Sequence, residues 1–172
     1  MGMIKENWKF LEYTYLHRKA LKYLVETLII NPEDKKALRK RAEIHDLDKA
    51  LMYTIYPKSM ASEMHRRHAA HHMENDTEKS RLDFMEAVLD YECAALTKPD
   101  KPLNAYDTVK NIPNRYADEL VEIMKELGID RSYIRKADDA FNAFMADYLP
   151  VTEEKVLSEI YSYVGRIFEC RL

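Results

Sequence analysis

The sequence predicts an all-α fold of about seven helices. Three observations carry that expectation. Glycine and proline are scarce, three and six in 172 residues, so little interrupts long regular segments. Apolar residues recur at steps of three and four along those segments. No run alternates apolar and polar residues in the manner of a half-buried strand.

The elements follow in order. Residues 6–30 read as a first helix on which Phe10, Tyr13, His17, Leu21, Leu24 and Leu28 share a face. It stops before "NPEDKK", where Asn31 or Asp34 caps a second helix over about 34–45. A short helix at 47–55 ends before Pro57, and the next runs from Ser59 to about Asn75. Asp76 or Thr77 then opens a long helix to Leu96, which "TKPDKP" ends. The polar connection at 97–114 reads as a boundary or as a lid. Further helices are expected at about 114–127 with Gly128 as C-cap, at 131–148 begun by Asp130 or Ser132, and at 152–169 capped by Thr152 after Pro150. Such a chain fits one domain over 1–172, with a histidine-bearing half at about 6–96 and C-terminal helices at about 114–170.

Composition narrows the function. Hydrophobic residues make up 47% and charged residues 33%, which is globular rather than disordered. A net charge of −3 gives no field that would gather long nucleic acid or anionic lipid. The apolar runs are too short to span a bilayer. The segment "MGMIKENWKF" lacks the layout of a secretory signal, and Glu6 stands where myristoylation expects Ser or Thr. Cys93 and Cys170 form no C-x-x-C pair, and reduced thiols in the cytoplasm are expected rather than a disulfide.

The chemistry-bearing residues lie in the first hundred positions. His17 sits on the inward face of the first helix, where it is either a satisfied core histidine or a ligand. In "RAEIHDLDKA", His45 and Asp46 are neighbours, about 100° apart if helical, so an imidazole nitrogen and a carboxylate oxygen can approach one cation. Lys49 lies one turn beyond Asp46, either as its surface ion-pair partner or as a cation aimed at substrate charge. "HRRHAAHHMEND" carries four of the six histidines: His65, His68, His71 and His72. On a helix over 59–75, His65, His68 and His72 share a face with His71 at its edge. Buried rings in such number need partners for two nitrogens each, and a metal meets that need better than a plain core. Arg66 and Arg67 read as solvated surface residues or as phosphate contacts. In "DFMEAVLDYECAAL", Asp90 has apolar helical neighbours, so it would be costly to ionise without a cation or an arginine. Asp83 and Glu86 on the same flank are the alternative donors.

The order His17, then His45–Asp46, then the histidine cluster, then Asp90 resembles the H…HD…D signature of the HD-domain superfamily, a helical, metal-dependent class. "HDLDK" is similar to the H-D-x-G-K of the HD-GYP phosphodiesterase branch, with Asp48 in place of the glycine and no G-Y-P following. The resemblance covers residues 10 to about 96 and implies an HD-domain-like bundle. It further implies a first metal held by His17, His45, Asp46 and Asp90, with Asp46 bridging to a second held by histidines among 65–72. Two divalent ions are therefore expected, drawn from Fe, Mn, Co, Zn or Mg.

The leading functional expectation is a metal-dependent phosphohydrolase acting on a small phosphorylated substrate, a nucleotide or a phosphodiester. A water between metals roughly 3.5–4 Å apart would attack phosphorus, with Asp46 and Lys49 in the catalytic apparatus. Two alternatives use the same residues: an HD-type di-iron oxygenase acting on a small substrate, and a non-enzymatic helical interaction module whose histidines are structural or bind zinc. The C-terminal stripe of Leu120, Ile123, Met124 and Leu127 reads as internal core or as a homodimer face.

Overall fold

The computed structural model describes residues 2–98, 103–111 and 115–169. Among these residues every regular element is a helix and there is no strand. The elements are α1 (Gly2–Glu6), α2 (Trp8–Thr27), α3 (Pro32–Ile44), α4 (Leu47–Tyr53), α5 (Lys58–His68), α6 (Arg81–Thr97), α7 (Ala105–Asn111), α8 (Ala117–Glu126), α9 (Asp139–Ala146) and α10 (Glu153–Glu169). The all-α expectation holds. The short α1 and α7 are additional to it.

Several ends fall where the sequence placed them. The Asn31 side chain accepts from the Asp34 amide at 2.9 Å and caps α3. Gly128 has φ +67° and closes α8 in a Schellman arrangement. There the Ile129 amide reaches the Met124 carbonyl and the Gly128 amide reaches that of Lys125. The Thr152 hydroxyl accepts from the Lys155 amide at 3.3 Å.

Four expectations are corrected. The first helix is interrupted at Asn7, a buried residue whose amide donates to the Tyr53 and Tyr56 carbonyls, both at 2.8 Å, and so ties the chain to the end of α4. The helix expected to reach Asn75 stops at His68. Asn75 donates to the Arg66 and Ala69 carbonyls, so a side chain replaces the next turn of the backbone ladder. The long helix begins after Ser80 rather than at Asp76 or Thr77. Ser80 and Asp83 form a capping box, with the Ser80 amide donating to Asp83 Oδ2 at 2.7 Å. The helix placed at 131–148 begins only after Asp138, whose carboxylate accepts from the Phe141 amide at 2.8 Å. The expected helix start at residue 114 and the thiol of Cys170 lie outside the described residues.

α2 is the axis of the packing. On one side α3, α6, α8 and α9 close a core that includes Leu21, Leu24, Leu38, Met85, Leu89 and Leu120. On the other, α4, α5 and α10 close a second around Leu11, Tyr15, Leu47, Tyr53 and Ile160. Each buried leucine contributes about 1.5–3 kcal/mol by leaving water. Leu120, Ile123, Met124 and Leu127 are internal. Cys93 is a free thiol with no exposure. No described helix is long and apolar enough to cross a membrane.

Candidate metal centre

Five pieces of chain deliver polar side chains to one buried place between α2 and α6. His17 comes from α2 and Asp90 from α6. Their contact is direct, His17 Nε2 lying 2.6 Å from Asp90 Oδ1. Along α6, Asp83, Glu86 and Asp90 follow steps of three and four, so one face of the helix carries an acidic stripe.

His45, expected as the last residue of its helix, is not helical, and neither is Asp46, which the expected bounds left between two helices. They form the two-residue turn between α3 and α4, and Asp46 adopts the left-handed conformation at φ 57°. That conformation costs a residue other than glycine roughly 1–2 kcal/mol, though aspartate tolerates it better than most. The turn aims both side chains inward, and both residues are buried. His65 enters from the last turn of α5 and is 1% exposed.

His71 and His72 arrive on the irregular stretch that joins α5 to α6, not on a helix face. Lys79 organises this stretch. Its ammonium donates to the carbonyls of Ala70 and His72, to Asn75 Oδ1 and to Thr77 Oγ1, all between 2.6 and 2.8 Å. Met73 anchors the same stretch in the main core. His68, expected on the shared face, is exposed at the end of α5 and joins no donor group. The shared face does not exist, because the helix ends before it is complete.

The rings of five histidines form a continuous chain. Centroid separations are 5.7 Å from His17 to His45, 4.4 Å from His45 to His71, 4.6 Å from His71 to His72 and 4.9 Å from His72 to His65. Three overlapping sets bring donor atoms within 4.8 Å of one another: His17 with His45 and Asp90, His45 with Asp46 and His71, and His65 with His71 and His72. These groups can hold a metal ion. Seven of the residues singled out in the sequence are thus brought together, at two ends linked by His45, Asp46 and His71.

Hydrogen bonding shows where the free valences point. Among the described residues, Nε2 of His45, His65, His71 and His72 and Oδ1 of Asp46 are all buried without a hydrogen-bond partner. His65 Nε2 does approach Asp46 Oδ1 at 2.7 Å, but the two lack hydrogen-bond alignment. Leaving one buried polar atom unmet costs about 1–3 kcal/mol. Five together would rival the whole stability of a domain, about 5–15 kcal/mol. A cation shared by lone pairs that converge on it removes that cost.

The opposite ring nitrogens are held. Nδ1 of His45 meets Glu86 Oε1 at 2.9 Å, and Nδ1 of His65 meets Asp48 Oδ2 at 2.8 Å. Nδ1 of His17 faces the Thr97 and Tyr13 hydroxyls at 3.1 and 3.2 Å. His71 Nδ1 lies 3.6 Å from the same Glu86 oxygen. For His45 and His65, where a carboxylate accepts from Nδ1, these outer partners fix the tautomer and leave Nε2 as the lone-pair donor. Glu86 is held in turn by Arg41 at 3.0 Å, and Arg41 also binds Asp83 at 2.5 Å. Asp83 and Glu86 are therefore supports behind the donors. Asp48, which replaces the glycine of the H-D-x-G-K pattern, has the same role for His65.

Lys49 donates to Asp46 Oδ2 at 2.8 Å, with side-chain exposures of 20% and 4%. This is a partly buried pair rather than a surface one, and it leaves Asp46 Oδ1 facing the histidines. Arg66 and Arg67 are largely exposed, and Arg67 pairs with Glu63.

Charge in the cluster favours a cation. Burial would raise the Asp46 carboxyl, but Lys49, His45, His65 and His71 hold it well below the usual range. Asp90 is likewise held low, by His17 and His45 against burial. Burial opposes a proton on His45, yet Asp46, Asp90 and Glu86 together raise its pKa well above the ordinary value. His65 is raised by Asp46 and Asp48 in the same way. Burial lowers His17 and takes His72 down to about 3, so both are neutral lone-pair donors at pH 7.

Sequence reasoning missed Arg41, Asp48, Tyr13, Thr97 and Lys79. The acidic stripe on α6 was a usable signal for Glu86. None announced Lys79, whose contacts are made only by the folded loop.

No family model, curated protein or solved structure matches the chain. The functional reading therefore stands on the site itself.

Proposed function

We propose that the protein is a metal-dependent phosphohydrolase with a dinuclear centre, and that it is an HD-like domain. The observation that carries this reading is the approach of three unpartnered imidazole nitrogens, Nε2 of His45, His65 and His71, to Asp46 Oδ1 at 3.8, 2.7 and 3.6 Å. The order His17, His45–Asp46, Asp90, set on α2, the α3–α4 turn and α6, supports the HD resemblance.

His17, His45 and Asp90 form one end, and His65, His71 and His72 the other. Asp46 stands between them with one oxygen for the cations and the other on Lys49. When bound, two divalent cations supply at such a site a water acidified towards about pH 7 and positive charge against the phosphoryl oxygens. The chain's own residues do the rest. Glu86, Asp48, Thr97 and Tyr13 hold the imidazoles in their donor orientation. Lys49 keeps Asp46 ionised and brings a further cation to the edge of the site. Asp90 and His72 retain side-chain exposures of 20% and 15%, which marks the edge open to a substrate.

Donor number favours this reading over a structural zinc site. Structural zinc is closed by four ligands, whereas seven residues converge here. The test is a panel of nucleotides and a generic phosphodiester offered with Mn²⁺, Fe²⁺, Co²⁺ or Mg²⁺. Release of phosphate or alcohol, lost in Asp46→Ala, is expected. Loaded protein inert on every ester would refute the hydrolase reading. Oxygen uptake by an iron-loaded form would replace it with an oxygenase.

A further inference from the structure

A second polar cleft lies apart from the histidines, none of which lines it. It runs between α2, the end of α3 and α10, with a volume of about 300 Å³. That is at the lower end of small-molecule sites, roughly 300–1,000 Å³. Four cations line it, Arg18, Lys19, Lys22 and Arg166, against two carboxylates, Glu43 and Glu159. The cleft is therefore positive within a chain whose net charge is −3.

The pairing is uneven. Glu159 on α10 accepts from both Arg18 Nη2 and Lys19 Nζ. Lys22 and Arg166 make no ion pair among the described residues. Arg18 is only 3% exposed, and its second terminal nitrogen, Nη1, is buried with no partner. A guanidinium so placed offers a planar fork of donors of which one prong is in use. Lys19 is braced over the Tyr15 and Tyr148 rings, at 4.8 and 5.0 Å from their centroids. Glu159 is the more exposed member, with its side chain 31% exposed.

We propose that this cleft is a second ligand site, which takes the phosphate group of a small molecule by displacing the Glu159 carboxylate from Arg18 and Lys19. A phosphate dianion has the oxygens to satisfy both prongs of Arg18, and it brings the charge that Lys22 and Arg166 leave unmatched. Glu159 is then an internal competitor that holds the cleft closed until the ligand arrives. No histidine lines the cleft, and the proposal does not rest on the hydrolase reading.

The test is calorimetric titration of the full chain with inorganic phosphate and pyrophosphate, at fixed ionic strength in KCl, after metal removal by chelator. Saturable one-to-one binding is expected. Lys22→Ala combined with Arg166→Ala changes partly or fully exposed side chains, so the fold is expected to survive, as circular dichroism would verify. This variant should weaken binding about tenfold, and Glu159→Gln should tighten it by a few-fold. Arg67→Ala, which removes an exposed cation outside the cleft, should bind phosphate as the parent does. Three results would overturn the proposal: no saturable binding in the parent or in Glu159→Gln, binding indifferent to the Lys22 and Arg166 changes, or binding weakened as much by Arg67→Ala as by the Lys22 and Arg166 changes.

Discussion

The two ends of the histidine cluster are built differently. His17 and Asp90 stand on long helices that pack directly against each other, so α2 and α6 fix their separation. His71 and His72 stand on irregular chain, where Lys79 and Asn75 supply the order that a helix would give. The helical end is set by the packing of Leu21, Leu24, Met85 and Leu89 in the main core. The loop end is held largely by hydrogen bonds from one ammonium and one amide, each worth about 1–3 kcal/mol at most. Asp46 and His45, on a turn of their own, join the two. A two-residue turn thus links a half-site set by helix packing to one set by loop hydrogen bonds.

That contrast can be broken most severely at the junction. Asp46→Ala should abolish binding at both ends and reduce any hydrolysis by at least about 100-fold, measured as metal content and turnover together. Glu86→Gln is next. Glu86 stands behind His45 at the helical end and His71 at the loop end, so metal affinity should fall at both, by about 10–100-fold in a competition titration with a chelator dye. Separate removal of the ends should then separate the ions. His17→Ala should lose the helical-end ion and His65→Ala the loop-end ion, each leaving one equivalent bound.

A smaller effect concerns pH without metal. His45 and His65 have pKa values raised by the fold, so the folded state binds more protons than the unfolded chain once pH exceeds the unfolded value of about 6.5. Their contribution to stability is complete below that value and fades as pH rises through the raised pKa values. His17 and His72, lowered by the fold, have already given their full contribution by about 6.5. Urea midpoints of metal-free protein should therefore decline from about pH 6.5 upward, and metal affinity should strengthen over the same range as protons leave His45 and His65. Smallest of all, His68→Ala should change neither metal content nor stability measurably, since His68 is exposed and belongs to no donor group.

The same contrast explains what the sequence could reveal. His17 and Asp90 were legible because a helical period says which residues share a face, and both helices exist much as expected. His45 and Asp46 were legible as a pair of donors at the junction of two helices, but the left-handed conformation of Asp46 was not, since no glycine marks it. His68 was wrongly grouped with His65 and His72 for a related reason. The helix-ending contacts come from Asn75 and Lys79, which lie seven and eleven residues beyond the last helical position, His68. Periodicity is a local rule, and the loop end is closed by non-local partners. Asp48 stood in plain view as a departure from the H-D-x-G-K pattern. Its place behind His65 depends on how α4 meets α5.

The central claim is that one cluster, pivoting on Asp46, holds two cations. Elemental analysis of protein purified without chelator tests it most directly. The account predicts two equivalents of a divalent transition metal per chain in the parent and none retained in Asp46→Ala. Metal-free parent protein that takes up no ion when offered a panel of divalent metals, or an Asp46→Ala variant that keeps both equivalents, would contradict it.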